Sequence, residues 1–304
     1  MIRENGIKAI ASIMRVTPSV RGKHRLGKLL ERYVLGPDKW KKPACIIPMK
    51  AGYKMHVDVR SATNNGSFWT GNYDTELITK LCNLFEENWT VLDIGGNIGY
   101  YTVPFARKLK QLNGKLLTFE PVSTNFKALN QNIELNDVQG IVSAYKMALG
   151  NEEGTITMNI TEEGDSSNAY IANDNITSVR TFRSEQAPMH RLDDFIKSHP
   201  IQGCDFIKVD IEGAEIFLFQ GAPELLAKYK PVVYGEFNPY FMSRFGFTFL
   251  DVWKLFSIHG YECYQQQGKS PWFKAATPAE RTANVLLIPP GYDKKKLEGL
   301  LLNQ

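Results

Sequence analysis

Cysteine and histidine are scarce in this chain, with four and five among 304 residues. Cys45, Cys82, Cys204 and Cys263 lie far apart and form no C-x-x-C pair. That spacing argues against a disulfide framework and a thiolate zinc site, and for a reducing compartment. No apolar run approaches 18 residues, so no transmembrane helix is expected. The first residues lack the apolar stretch of a secretory signal, and a cytoplasmic location is the expectation. Internal repeats and low-complexity stretches are absent. A formal net charge of +4 is too small to imply a polyanionic partner by itself. The composition, 43% hydrophobic and 22% charged, is that of a globular protein of one or two domains.

Charge is unevenly placed. The first 42 residues carry eleven lysines and arginines against three acids, Glu4, Glu31 and Asp38. Ile7, Ile10, Ile13 and Met14 recur at helical spacing, as do Leu26, Leu29, Leu30 and Tyr33, with Pro18 between the two sets. Two surface helices with a basic outer face are expected. They serve either as ordinary packing or as a dock for an anionic membrane surface or an acidic partner.

The most informative stretch is Val91-Leu-Asp-Ile-Gly-Gly-Asn-Ile-Gly99. It predicts a buried strand, a tight small-residue turn and a helix. In open α/β sheets ligands sit beyond the carboxyl ends of strands, so this turn is the expected floor of a pocket. A second apolar run, Leu116, Leu117 and Phe119, ends in Glu120. One carboxylate there can accept from both hydroxyls of a ribose. Dinucleotide enzymes favour G-x-G-x-x-G, whereas here an acid, Asp93, precedes glycines spaced D-x-G-x-x-x-G. A carboxylate sits poorly beside a pyrophosphate but well near an ammonium. S-adenosylmethionine, with an ammonium, a sulfonium and no phosphate, therefore fits better than NAD.

Residues 53–59 alternate like a strand. A polar turn is expected around Asn64-Asn65-Gly66, followed by an aromatic loop from Phe68 to Asp74 in which Tyr73 could cover a cofactor. Leu77, Ile78, Leu81 and Leu84 predict a helix. From residue 91 strands are expected near 91–95, 115–120, 141–147, 205–210 and 231–236, with helices between them, among them 123–136. This alternation is the mark of a mostly parallel sheet covered on both faces. Pro104 implies either a kink or a helix starting later than the Gly-rich turn. The stretch 151–190 breaks the alternation. It reads as a strand at Gly154–Met158 and then a polar loop (Gly164, Ser166, Ser167, Asn168) able to cover the pocket. A helix over 250–256 and strands near 260–264 and 285–288 suggest a hairpin at the sheet edge.

Asp205-Phe-Ile-Lys-Val-Asp-Ile-Glu-Gly-Ala-Glu215 carries the second charged constellation. Alternation puts Lys208, Asp210 and Glu212 on one face if the strand lasts that far. Charges in a central strand are costly unless paired or at its open end. Lys208 and Asp210 either prop the sheet end or, with Glu212, line a reaction site. Glu236 ends the fifth strand, so Asp93, Glu120, Asp210 and Glu236 should converge on one rim. His190 is a weaker candidate base. Because histidine is missing from the constellation, no metal is expected.

With these residues in place the chain resembles the FkbM family of S-adenosylmethionine-dependent methyltransferases. The matching features are 91–101, Phe119-Glu-Pro121 with Asn125, Phe126 and Asn132, Ala148-Leu-Gly150, Arg191-Leu-Asp-Asp-Phe195 and 207–215, within roughly residues 69–240. The resemblance implies the Rossmann-like class I methyltransferase fold, α/β, with a mostly parallel seven-stranded sheet, helices on both faces and an N-terminal helical extension. Residues 1–75 would form the extension and lid, and 76–304 the methyltransferase domain. It further implies O-methylation of a sugar, glycan or secondary metabolite and a small-molecule or glycan acceptor. No nucleic acid is expected, because the basic segment is N-terminal rather than a basic, aromatic groove at the pocket. Asp93, Gly95, Gly96, Asn97 and Gly99, with Tyr73, would then hold the methionine part of the cofactor. Glu120 and Pro121 would hold the ribose, and Met147 and Ala148 would border the adenine. Asp210 or Glu212 would be the base, with Lys208 or Glu236 orienting the acceptor. Gly96 replaces a common alanine, a mild change, and Asp74 stands where glutamate is usual. A non-catalytic cofactor- or carbohydrate-binding scaffold is the alternative.

Overall fold

The computed structural model describes residues 2–18, 22–35, 40–161, 170–171, 182–268, 271–275 and 282–301. The expected polar loop at Gly164 to Asn168 lies outside these residues.

Two amphipathic helices open the chain, α1 (Ile2–Val16) and α2 (Lys23–Leu35), followed by an antiparallel hairpin, β1 (Ala44–Pro48) and β2 (Lys54–Asp58). The stretch read as a polar turn and aromatic loop is instead helix α3 (Ala62–Thr70). Tertiary burial overrides its polar composition. Phe68 and Trp69 are fully enclosed, and Asn65 spends its amide on the Val59 carbonyl at 3.1 Å. Gly71, at φ +65° with its N–H on the Ser67 carbonyl, terminates the helix. Helix α4 (Thr75–Cys82) follows as expected.

The Gly-rich stretch then enters the main sheet. Its strands are β3 (Thr90–Ile94), β4 (Lys115–Phe119), β5 (Val142–Tyr145), β10 (Phe206–Val209), β11 (Val232–Phe237), β12 (Glu262–Gln266), β13 (Phe273–Ala275) and β14 (Ala283–Ile288). The order is β13-β12-β14-β11-β10-β3-β4-β5. The five strands from β11 to β5 pair in parallel, and β14, β12 and β13 add antiparallel pairs at one edge. The seven expected strands are therefore present, with the short β13 as an eighth. Val91, Leu92, Ile94, Phe206, Ile207 and Val209 are essentially inaccessible, as a central strand covered on both faces requires.

Helix α5 spans Thr102–Gln111, so Pro104 sits in its first turn, where no intrahelical N–H is needed. The later start resolves the proline without a kink. Helix α6 (Ser123–Leu135) follows β4. Asn132 in α6 donates to the Ile98 carbonyl at 2.8 Å and to the His56 carbonyl at 3.2 Å. It thereby ties the hairpin to the Gly-rich turn. A separate sheet is formed by β6 (Ala148–Gly150), β7 (Gly154–Thr161), β8 (Tyr170–Ile171) and β9 (Phe182–Arg191), in the order β6-β9-β7-β8. The strand expected at Gly154–Met158 is present within β7, and the remaining described residues up to Arg191 are strand as well. β9 has little apolar alternation of its own and is recruited by ten-residue pairing with neighbours. Helices α7 (Leu192–Ser198), α8 (Glu215–Gln220) and α9 (Pro223–Tyr229) lie beyond it. Asp193 is buried because its two oxygens cap α9, accepting from the Glu224 and Leu225 N–H groups at 2.8 and 2.9 Å.

The N-terminal helices, the hairpin and α3 share one apolar cluster with Ile98, Tyr100 and Val103, the residues just after the Gly-rich turn. The extension is thus packed directly onto the ends of the central strands.

Candidate active site

Parallel strands carry their carboxyl ends to one edge, and four acid-bearing ends meet there. Two cavities open at this edge, an apolar one of about 90 Å³ and a polar one of about 220 Å³. Gly95, Asn97, Asp210 and Glu212 line both. The apolar slot adds Phe119, Glu120, Pro121, Met147 and Ala148, with Ile156, Met158 and Ile171 supplied by β7 and β8. The polar chamber adds Tyr73, Gly96, Lys208 and Glu236, with Ser61, Thr63 and Asn64 from α3 and Asn238 and Phe241 beyond β11.

Twelve of the fourteen residues singled out in the sequence therefore surround one continuous site. Asp93 and Gly99 line neither cavity. Asp93 is fully buried. The carboxylate at this strand end does meet an ammonium, but it is that of Lys208, 3.3 Å away. Its other oxygen accepts from the Thr102 hydroxyl at 2.6 Å, holding the start of α5. Gly99 (φ +101°) is a packing position where an added Cβ would meet Leu129 at 3.1 Å. His190 is paired with Glu153 at 2.6 Å and lies outside both linings.

The turn after β3 is built by conformation. Gly95 has φ +80°, and a Cβ on it would stand 2.0 Å from the Asp210 carbonyl oxygen. Gly95→Ala should therefore misfold the site, with melting temperature and cofactor binding falling together. Gly96 is no mild replacement for alanine. A methyl there would lie 2.2 Å from the Thr118 hydroxyl, which is buried beside Thr102. Asn97 adopts φ +49°, which asparagine tolerates better than most residues. Its N–H donates to Glu120 Oε2 at 2.9 Å. Glu120 Oε1 accepts from the Val122 N–H at 2.9 Å. Burial pushes this carboxyl up to about 7, against the lowering effect of those two backbone donors. Glu120 thus ties the two strand ends together while facing the apolar slot.

Lys208 is buried, donating to the Gly95 carbonyl at 3.0 Å and lying 3.9 Å from Asp210 Oδ2 and 5.1 Å from the Tyr101 ring centroid. Burial works to lower its pKa, but Asp93 and Asp210 outweigh it and hold the ammonium above its ordinary value. Removing one member of such a pair strands a buried charge. Lys208→Met should cost about 3–5 kcal/mol in urea denaturation, and the Asp93→Asn/Lys208→Met double variant should recover part of it.

The strand carrying Lys208 ends at Val209, so Asp210 and Glu212 stand on the following loop instead of sharing a strand face. Glu212 is held at φ +54°, a conformation costing about 1–3 kcal/mol for a residue with a Cβ. Glu215 holds the loop from beneath, accepting from the Gly213 and Ile211 N–H groups at 3.2 and 3.4 Å. Burial, then Asp210, Glu215 and Glu236, push Glu212 up to about 8. Burial pushes Glu215 up to about 7 and also raises Glu236 and Asp74, both of which feel Asp210. Tyr73 stacks on Tyr100 at 4.0 Å, and the Tyr100 hydroxyl donates to Asn64 at 3.1 Å, closing the chamber from the α3 side.

These raised carboxyls make stability pH-dependent. In the unfolded chain the glutamates ionise near 4.5, whereas in the fold Glu120, Glu215 and Glu212 hold their protons to about 7, 7 and 8. Between those values the native state binds more protons, so stability is highest below pH 4.5 on this account and falls as pH rises through 7–8. Each pH unit by which a carboxyl is held above its unfolded value adds about 1.4 kcal/mol to that loss. Melting curves from pH 5 to 8.5 should show the fall, and Glu212→Gln should flatten its upper part.

Within the stretch 61–75, which the sequence places beside the pocket, only Tyr73 was named for the site; Ser61, Thr63 and Asn64 were not, nor were Asn238 and Phe241 beyond β11. They sit in segments without a motif, and only packing of α3 and the turn after β11 against the strand ends brings them in. Glu215 was visible only as part of a motif; its distance from Glu212 gave no sign of its role as a staple.

The chain matches the family described as Methyltransferase FkbM domain over residues 93–263, more than half its length. It is 28% identical over 151 residues to Methyltransferase 1 of Beauveria bassiana (strain ARSEF 2860), covering 45% of this chain and 59% of that protein. It is 27% identical over 158 residues to Methyltransferase sdnD of Sordaria araneosa, covering 44% and 60%. The chain thus spans about 60% of the length of these relatives. Among solved structures, Methyltransferase FkbM from Methylobacillus flagellatus KT aligns over 94% of this chain and 59% of its own, at 14% identity and a TM-score of 0.44.

Proposed function

Because the chain belongs to the FkbM methyltransferase family, we propose that it is an S-adenosylmethionine-dependent O-methyltransferase acting on a hydroxyl of a sugar, glycan or secondary metabolite. The observation that carries this reading is the pairing of an apolar slot edged by Glu120 with a carboxylate-lined polar chamber through the shared turn Gly95 to Asn97. The chemistry of the slot suits an adenosine. Phe119, Met147, Ile156 and Met158 offer apolar surface for a flat base. Glu120, already oriented by two backbone donors, presents a carboxylate for a ribose diol. Asp210 and Glu236 form an anionic wall suited to a sulfonium and an ammonium. When bound, the cofactor supplies an electrophilic methyl group for in-line displacement.

The chain's own residues supply the rest. An alcohol needs a base within hydrogen-bond reach as its proton leaves. Glu212, raised towards neutrality and facing the chamber, takes that proton in this proposal. Asp210, at the junction of the two cavities, aligns the acceptor hydroxyl, and Glu236 with Asn238 holds its neighbouring groups. Lys208 acts from below as a positioning residue, fixing Gly95 and the Asp210 loop. Asp93 and Gly99 support the turn without touching ligand. Residues 1–75 form the acceptor-side wall through α3 and Tyr73, and 76–304 the methyltransferase unit.

Calorimetry with S-adenosylmethionine, its demethylated product and NAD in parallel tests the cofactor half of the proposal. Binding of the first two and not the third is expected; NAD binding alone would sink it. A methyl-transfer screen against sugars and small alcohols tests the acceptor half. Cofactor binding without turnover on any acceptor would favour a non-catalytic scaffold.

A further inference from the structure

We propose that the layer formed by α1 and α2 is a docking surface for an anionic lipid bilayer. The orientation of α2 is set from beneath. A Cβ on Gly27 would stand 2.2 Å from the Trp69 ring, so the helix backbone lies directly on that indole. Lys23 is buried, donating to the Thr17 carbonyl at 2.9 Å. The one acid of α2, Glu31, is also used up locally, accepting from Trp40 Nε1 at 2.6 Å and Asn65 Nδ2 at 2.9 Å.

At about 100° per residue, the outward arc of α2 then reads Lys28, Arg32, Arg25, Leu29, Tyr33, Leu26. Basic side chains occupy one half and apolar side chains the other, and all six are exposed. Leu26, Leu29 and Tyr33 are 53%, 55% and 86% accessible, and α1 adds Ile13 at 65% and Val16 at 84%. These are five of the nine large apolar side chains exposed among the described residues. Their concentration on two short helices marks a patch, not the usual scatter. Among the described residues no ion pair engages Arg25, Lys28 or Arg32.

A purely acidic polymer would use the cations but leave Leu26, Leu29 and Tyr33 in water. A bilayer interface takes both, with cations at the phosphates and apolar tips at the acyl boundary. No helix among the described residues is long and apolar enough to cross a membrane, so the contact is one of lying on the surface. Helix α3, which supports α2 through Trp69, also walls the polar chamber through Ser61, Thr63 and Asn64. The docked face and the site are therefore one helix apart.

Sedimentation of the whole chain with vesicles of neutral phosphatidylcholine, and of phosphatidylcholine with about one third phosphatidylglycerol, tests the proposal. Binding to the anionic vesicles alone is expected. The Arg25→Gln/Lys28→Gln/Arg32→Gln variant should bind them about tenfold more weakly or worse. Leu26→Ala/Leu29→Ala/Tyr33→Ala should lose several-fold at unchanged charge. Absence of wild-type sedimentation with either vesicle would overturn the proposal. So would an apolar variant that binds like wild type, or displacement by polyglutamate as effective as by soluble anionic lipid, since either would assign the patch to an acidic macromolecule. All six positions are exposed, and melting curves of the variants check that they fold.

Discussion

Glu120→Ala should abolish measurable binding of S-adenosylmethionine, raising its Kd by at least about 100-fold. Hydrogen bonds to a charged group contribute about 1.5–3 kcal/mol each, and a carboxylate facing a ribose diol makes two. The variant should also unfold more readily. The Asn97 and Val122 N–H groups now donate to Glu120 at 2.9 Å each, and burying them unpaired costs about 1–3 kcal/mol apiece. Glu120→Gln separates the two effects, because the amide oxygen can still accept one of those bonds. It should lose affinity by about tenfold and only about half of the stability that alanine loses. The pH dependence has a definite sign. Burial holds the free carboxyl up to about 7, and the diol is bound by the ionised form. Affinity should therefore rise with pH through about 7 and level off above it, and the rise should vanish in Glu120→Gln. Calorimetry across pH 6 to 8.5 measures both. An alanine variant that bound the cofactor like wild type would remove the basis for reading this slot as an adenosine site.

Glu212→Gln should lower kcat by about 10²–10⁴-fold, the range expected for loss of a general base, while cofactor affinity changes little. Asp210→Asn should lower it too, with KM for the acceptor rising, because Asp210 lines both cavities. With Glu212 pushed up to about 8, the active, deprotonated fraction grows as pH rises. The rate should climb from pH 6 to about 8 and then flatten. Glu212→Gln should be slow and nearly independent of pH over that range. Glu212→Gly is a useful control. Glycine accepts φ +54° without strain, so it should be at least as stable as wild type and equally inactive. Variants at 210 and 212 that turned over normally would move the base to Glu236, which also faces the chamber.

The two predictions rest on residues that were legible to different degrees. Glu120 could be read directly, because a buried strand ending in an acid after a Gly-rich turn leaves that side chain few places to go. Asp210 and Glu212 were readable as neighbours of the site, but their backbone was not. Strand β10 stops at Val209, and the loop places Glu212 by a left-handed residue and the Glu215 staple. Asp93 shows the opposite failure. Its chemistry called for an ammonium, and the nearest one came from Lys208 on the adjacent parallel strand, a pairing that residue spacing cannot reveal.

The alternation of buried strands and helices, the parallel core and the convergence of acids at its carboxyl edge are written in the residue order. Those features are local: apolar runs, turn glycines and the period of side chains along strand or helix are written residue by residue. Tertiary structure alone decided that the polar stretch 62–70 is a helix, since the burial of Phe68 and Trp69 against the extension outweighs its weak propensity. It also decided that 182–191 pairs into a second sheet that furnishes the apolar slot, and that Asp93 supports the floor without lining it. Each depends on partners distant in sequence, and on the cost of leaving a buried charge or a backbone group without one.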